Sequence, residues 1–242
     1  LSKSTSFIVA LFAVLITGYI LVISTHSAQA AGFEYESVNV FGTTGLDYGS
    51  AIDNDSDGNL YVTGQFNVGT VDFDPSSGMD NKTNALGGYD VFLTKFNSDG
   101  TYAWTRTWGG SGNDASYNIA FDSNNNVYVI GEFAATVDFD PSGGVSSYIS
   151  AGSVDAFVSE FNTNGDFISV NVIGGSSHDR GHGIEFNSDD EMYIAGKFTG
   201  TVDFDPSGGV DSQISAGNYD AYLSKFNSDG TYAWTYIWGS TD

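Results

Sequence analysis

One unit is written three times along this chain, and that repeat limits the fold more than any other feature. Val71-Asp72-Phe73-Asp74-Pro75 returns 66 residues on as Val137–Pro141, and 65 further on as Val202–Pro206. Tyr61–Gly64, Phe96–Gly100 and Trp108–Gly110 recur in the same order at nearly the same step. Self-similarity at a fixed period implies stacked copies of one supersecondary unit, none of which buries its apolar face alone.

Within the middle copy the residues read as four short strands. Ser116–Phe121 is the first. Val127–Phe133 is the second, running on toward Val137–Asp140. Asp155–Phe161 is the third and Asp166–Ile173 the fourth. Val, Ile, Tyr and Phe fill them, and Gly, Asn, Asp and Ser separate them. The third and fourth are joined by Asn-Ser-Asp-Gly or Asn-Thr-Asn-Gly, whose Gly can take the left-handed position of a bulged hairpin. Tyr102, Trp104 and Trp108 alternate along one face of a strand, as do Tyr232, Trp234, Tyr236 and Trp238. No segment after residue 30 carries a helical period. Four strands per unit without helices describe an all-β fold of β-propeller blades, each of four antiparallel strands.

The pattern Gly-Gly-x-Gly-x-Asp resembles the opening of the seven-bladed SBBP-type β-propeller repeat of secreted bacterial proteins. Here it is carried by Gly109, Gly110, Gly112 and Asp114. Ile119, Asp122, Tyr128, Val129 and Gly131 continue it, followed by Gly152, Asp155, Phe157, Phe161 and Gly165. Glu160 departs from it where Lys95 and Lys225 stand, and Ile173 replaces Trp. The resemblance covers nearly all of residues 41–242. It implies an exported propeller and carries no catalytic residue.

The organisation expected is a signal peptide over 1–30, a lead-in over 31–40, and repeats over 41–107, 108–172 and 173–237, with 238–242 opening a further blade. Lys3 precedes the apolar run Phe7–Ile23, and Ala28-Gln29-Ala30 fits a cleavage site. An uncleaved anchor is the competing reading. Rings close with four to eight blades, so about three blades form an incomplete propeller. The expectation is a piece of a longer product, with ring closure by oligomerisation as the alternative.

Charge narrows the function. Thirty Asp and Glu face seven Lys and Arg, a net charge of -23, which leaves no basic patch for nucleic acid. With no cysteine there is no disulfide, thiolate site or cysteine nucleophile. Asp53-Asn54-Asp55-Ser56-Asp57-Gly58 spells the opening of a calcium loop through Asp53, Asp55 and Asp57. The repeats do not preserve it, and acidic hairpin turns are the favoured reading. The Val-Asp-Phe-Asp-Pro copies offer Asp72, Asp74, Asp138, Asp140, Asp203 and Asp205 as a ring of carboxylates. Solubilising edge pairs are the plainer account, calcium the sharper one.

Asp47, Asp114 and Asp179, and likewise Asp90, Asp155 and Asp220, occur once per unit and are expected to accept backbone N–H groups in turns. His178 and His182 recur in no other copy. The leading expectation is a secreted or surface module for interaction or adhesion, with a protein or glycan partner, or further blades. The alternatives are an extracellular hydrolase or lyase, and a calcium-dependent lectin-like module.

Overall fold

The computed structural model describes residues 23–29 and 32–241. Residues 1–22, most of the expected signal peptide, lie outside them. Ile23–Gln29 (β1) pairs antiparallel with Gly32–Asn39 (β2) as a separate two-stranded sheet. The described residues are all β, in antiparallel sheets. Among them no helix is long and apolar enough to cross a membrane.

Three four-strand meanders follow. The first is β3 (Tyr48–Asn54), β4 (Leu60–Asp72), β5 (Asn81–Phe96) and β6 (Tyr102–Trp108), in chain order across the sheet. The second uses β7 (Ala115–Phe121), β8 (Val127–Phe133), β11 (Asp155–Phe161) and β12 (Phe167–Gly175). The third uses β13 (Arg180–Phe186), β14 (Met192–Phe198), β17 (Asp220–Phe226) and β18 (Tyr232–Trp238). Each first hairpin carries a register shift, at Gly49/Ala51, Ser116/Asn118 and Gly181/Gly183. Its turn holds a left-handed residue at one repeating place: Gly58, Asn125 and Asp190. Asn and Asp tolerate that region better than other side-chain-bearing residues.

The Val-Asp-Phe-Asp segment behaves differently from one unit to the next. In the first unit β4 runs on into it as far as Asp72; in the middle unit, where the sequence reading carries the second strand on toward Val137–Asp140, the strand ends at Phe133. In the others it is a separate hairpin: β9 (Thr136–Asp138) with β10 (Ser147–Ile149), and β15 (Thr201–Asp203) with β16 (Ser212–Ile214). A residue at positive φ, Ala135 or Gly200, stands just before it, as Gly69 does in the first unit, where β4 shifts register between Asn67 and Gly69. The hairpin crosses to the preceding sheet. β15 pairs with the end of β12 through Gly174↔Asp203 and Gly175↔Val202, and Gly110 bridges Val137 in the same way. A Cβ on Gly110 or Gly175 would lie 2.1 Å from the carbonyl oxygen of Thr136 or Thr201. The glycine pair of the motif is therefore the place where one unit's backbone meets the next.

Apolar side chains fill the space between sheets. Trp108, Val91 and Leu93 of the first pack with Phe133, Phe139, Phe157 and Phe161 of the second. Ile130, Ala156 and Ile173 of the second pack with Phe198, Phe204, Tyr222 and Phe226 of the third. On the other side of the first sheet, Phe41 packs with Phe66, Phe73 and Phe92. Phe41 stands where Trp108 stands in the next unit, ahead of Gly42 and Asp47 as Trp108 is ahead of Gly109 and Asp114. Phe41 thus packs on the first sheet as Trp108 packs on the second.

Candidate functional site

The recurring acids divide into two sets with different work. Asp114 Oδ2 accepts the Gly110 N–H at 2.8 Å, and its Oδ1 accepts the Ala134 N–H at 2.9 Å. Asp179 repeats this with Gly175 at 2.7 Å and Thr199 at 3.1 Å. Asp47 does so with Thr43 at 2.5 Å and Asn67 at 3.1 Å. Each carboxylate ties the glycine turn to the end of the second strand. Burial raises Asp114 to about 6 despite its two N–H donors, which pull the other way, and the Glu132 charge adds to the rise. Asp179 is raised for the same leading reason.

The second set packs on glycine backbone. A Cβ on Gly109, Gly174 or Gly239 would collide with the carboxylate of Asp90, Asp155 or Asp220. Asp155 and Asp220 accept the N–H groups of Ala151 at 2.7 Å and Ala216 at 2.8 Å through Oδ2. In all three copies Oδ1 is buried without a hydrogen-bond partner. Desolvation, then the Asp114 charge, pushes Asp90 up to about 7; desolvation leads again for Asp155, raised to about 6, with the Asp179 charge adding.

The calcium candidates are spread among turns. Asp55 is buried, and its Oδ1 accepts the N–H groups of Asp57 at 3.0 Å and Asn59 at 2.9 Å. Its Oδ2 takes the Asn59 amide at 2.8 Å. Asp53 and Asp57 are exposed; Asp53 accepts the Asn54 N–H, and Asp57 meets the Asn125 amide. Asp72, Asp138 and Asp203 each accept two loop N–H groups through Oδ1, those of Asp74 and Asp80, Asp140 and Ser146, and Asp205 and Asp211. Asp74, Asp140 and Asp205 accept the N–H of Ser76, Ser142 and Ser207. Among the described residues no group of three or more His, Cys, Asp or Glu is arranged to hold a metal ion.

The aromatic alternation lies at the sheet junctions. Trp108 is 4% exposed, under Phe157 and Phe161 of the next sheet, and Ile173 is 3% exposed at the same place. The residue in that position on the third sheet, Trp238, is 56% exposed, and Tyr236 beside it 58%. Trp234, Tyr236 and Trp238 form a run of neighbouring rings along the edge strand β18. At the first junction Lys95 Nζ donates to Thr163 O at 3.0 Å. Arg106 donates to Gly165 O at 2.8 Å and to Asn164 O at 3.1 Å.

The family model of the SBBP beta-propeller repeat matches residues 103–132, a stretch running from β6 across the glycine turn to the end of β8. Residues 103–132 are an SBBP beta-propeller repeat. A curated relative, the regulatory protein FlaEY of Caulobacter vibrioides, is 29% identical over 166 residues. The alignment covers 65% of this chain and 16% of that protein.

The matched stretch contains Gly109, Gly110, Gly112, Asp114 and Arg106, while Lys95 lies before it. Lys95 stands at the Lys position of the repeat pattern, whereas Arg106 carries no motif signal, because a single basic residue in a strand has no spacing to read. The departures at Glu160 and Ile173 are the visible signs that the junctions differ. His178 and His182 do not come together with a shared partner. His182 lies on the exposed side of β13, its ring 5.0 Å from that of Tyr117, and partial desolvation, with the Lys197 and Arg180 charges, holds its pKa below the usual range. The imidazole Nδ1 of His178 is buried in the turn before β13 without a partner.

Proposed function

We propose that this chain is a non-catalytic interaction module, built as three four-stranded blades of an exported, incomplete β-propeller. One observation carries the reading: a face buried twice within the chain is open on the third sheet, with Trp238 56% exposed where Trp108 is 4%. An aromatic run of that size is a binding surface rather than ordinary solvent surface. The recurrent carboxylates support it, because their hydrogen bonds go to turn backbone. The relative carries the description of a regulatory protein, which suits a part that binds rather than converts.

Association through this face is tested by sedimentation velocity on the chain and on Tyr236→Ser with Trp238→Ser. The expected result is concentration-dependent assembly, or complex formation with further repeat units, lost in the double variant. A wild-type chain that stays monomeric and binds no further repeat unit contradicts the proposal.

A further inference from the structure

The two sheet junctions are built on one plan and filled differently. At the first, the Trp104 indole, the Lys95 ammonium and the Arg106 guanidinium occupy the groove above the turn 162–165. They donate to the carbonyls of Thr163, Asn164 and Gly165. Lys95 also lies over the Tyr61 ring at 5.1 Å, and Arg106 over Trp104 at 5.2 Å. At the second junction the same three positions hold Ser169, Glu160 and Asn171. The turn keeps its form as Asn227-Ser228-Asp229-Gly230, yet among the described residues no side chain donates to the carbonyls of 228, 229 or 230.

The outcome is a cavity of about 120 Å³ lined by Tyr128, Glu160, Ser169, Asn171, Asp190 and the 227–230 turn, among others. The glycines report the same contrast. A Cβ on Gly165 would sit 3.0 Å from the Trp104 ring and 3.1 Å from Arg106 Nε; a Cβ on Gly230 would meet nothing within 4 Å. Two cations are gone and two carboxylates, Glu160 and Asp190, stand in place of Lys95 and Asn125. Glu160 is held by the Ser169 hydroxyl at 2.7 Å. Tyr128, the equivalent of Tyr61, offers the aromatic wall.

We infer that this cavity is a binding site for an external guanidinium group, free or on an arginine side chain, which takes the place that Arg106 and Lys95 fill at the first junction. Its N–H groups would serve the 228–230 carbonyls and the Glu160 carboxylate, and Tyr128 its face. A planar cation with several donors matches this acceptor set better than a compact metal ion, for which no three-ligand group exists among the described residues.

The test is isothermal calorimetry on the whole chain at low salt, with n-butylguanidinium chloride and with the capped peptide acetyl-Gly-Arg-Gly-amide. The expected result is saturable binding of at least one ligand, weakened about tenfold or more by Glu160→Gln, the loss of one charged partner. The tighter ligand identifies the source. Grafting the first junction onto the second, with Glu160→Lys and Asn171→Arg, should abolish binding and raise the melting temperature, which keeps the test valid if Glu160→Gln is unstable. The inference is overturned if neither ligand binds, if neutral n-butylurea binds equally well, or if the grafted variant keeps full affinity.

Discussion

Substituting Gly175 by Ala probes the joint between units most sharply. The added Cβ would lie 2.1 Å from Thr201 O and 3.3 Å from a Val202 methyl. Relief requires β15 to retreat by about 1 Å, a gap that forfeits a quarter to a half of each dispersion contact it opens. Val202 on that strand and Phe204 just after it are fully buried and lose contact together. The pairing of Gly174 with Asp203 and of Gly175 with Val202 is disturbed as well. Overpacking strain with weakened ladder hydrogen bonds amounts to about 2–4 kcal/mol, or a fall in melting temperature of about 5–15 °C at this chain length. Urea denaturation followed by circular dichroism reads it. Gly183→Ala is the control, because its Cβ would find its nearest neighbour at 4.0 Å, and it should leave stability unchanged or slightly raised. If Gly175→Ala unfolds with the wild type, close backbone approach is not what the motif glycine provides.

Ala135→Gly should stabilise the chain by about 0.5–1 kcal/mol in the same assay, because Ala135 sits at φ 60° where the other units have Gly69 and Gly200. Stability should fall as pH rises from about 4 to about 7 and then level. Asp90, Asp114 and Asp155 hold their protons to about 6–7 when folded, above the unfolded value of 3.8. The folded state therefore binds more protons across that window. Thermal melts across the range check this, and Asp90→Asn should flatten the slope. Asp138→Ala removes the acceptor for two loop N–H groups and should cost about 1 kcal/mol by denaturant titration, with faster amide exchange confined to residues 138–147.

What the sequence reveals here is whatever is local. Period-two alternation and the Asn-x-x-Gly turns place the second, third and fourth strands of the middle unit to within a residue or two, because each depends on neighbours in the chain. Asp114 and Asp179 are legible as backbone acceptors because a short acid after a glycine turn has few other uses. The crossing of β15 onto β12 is not legible. It depends on the space above Gly175, which does not alter the alternation pattern. Phe41 is hidden as the counterpart of Trp108 because the two differ in residue type. The cavity beside Glu160 is hidden for another reason: Glu160, Ser169 and Asn171 are neighbours on the β11–β12 hairpin, but the space they leave exists only against the 227–230 turn of the next sheet.

The account rests on one equivalence, that the third sheet presents to solvent the face that the first two bury. The most direct test is the emission spectrum of a chain retaining only Trp238, with Trp104, Trp108 and Trp234 replaced by Phe, recorded over a range of protein concentrations. The account predicts solvent-exposed, readily quenched emission when dilute, moving to the blue as the chain associates or as further repeat units are added. Emission that is already blue-shifted and protected in the dilute chain would contradict it, as would emission that stays exposed under every condition.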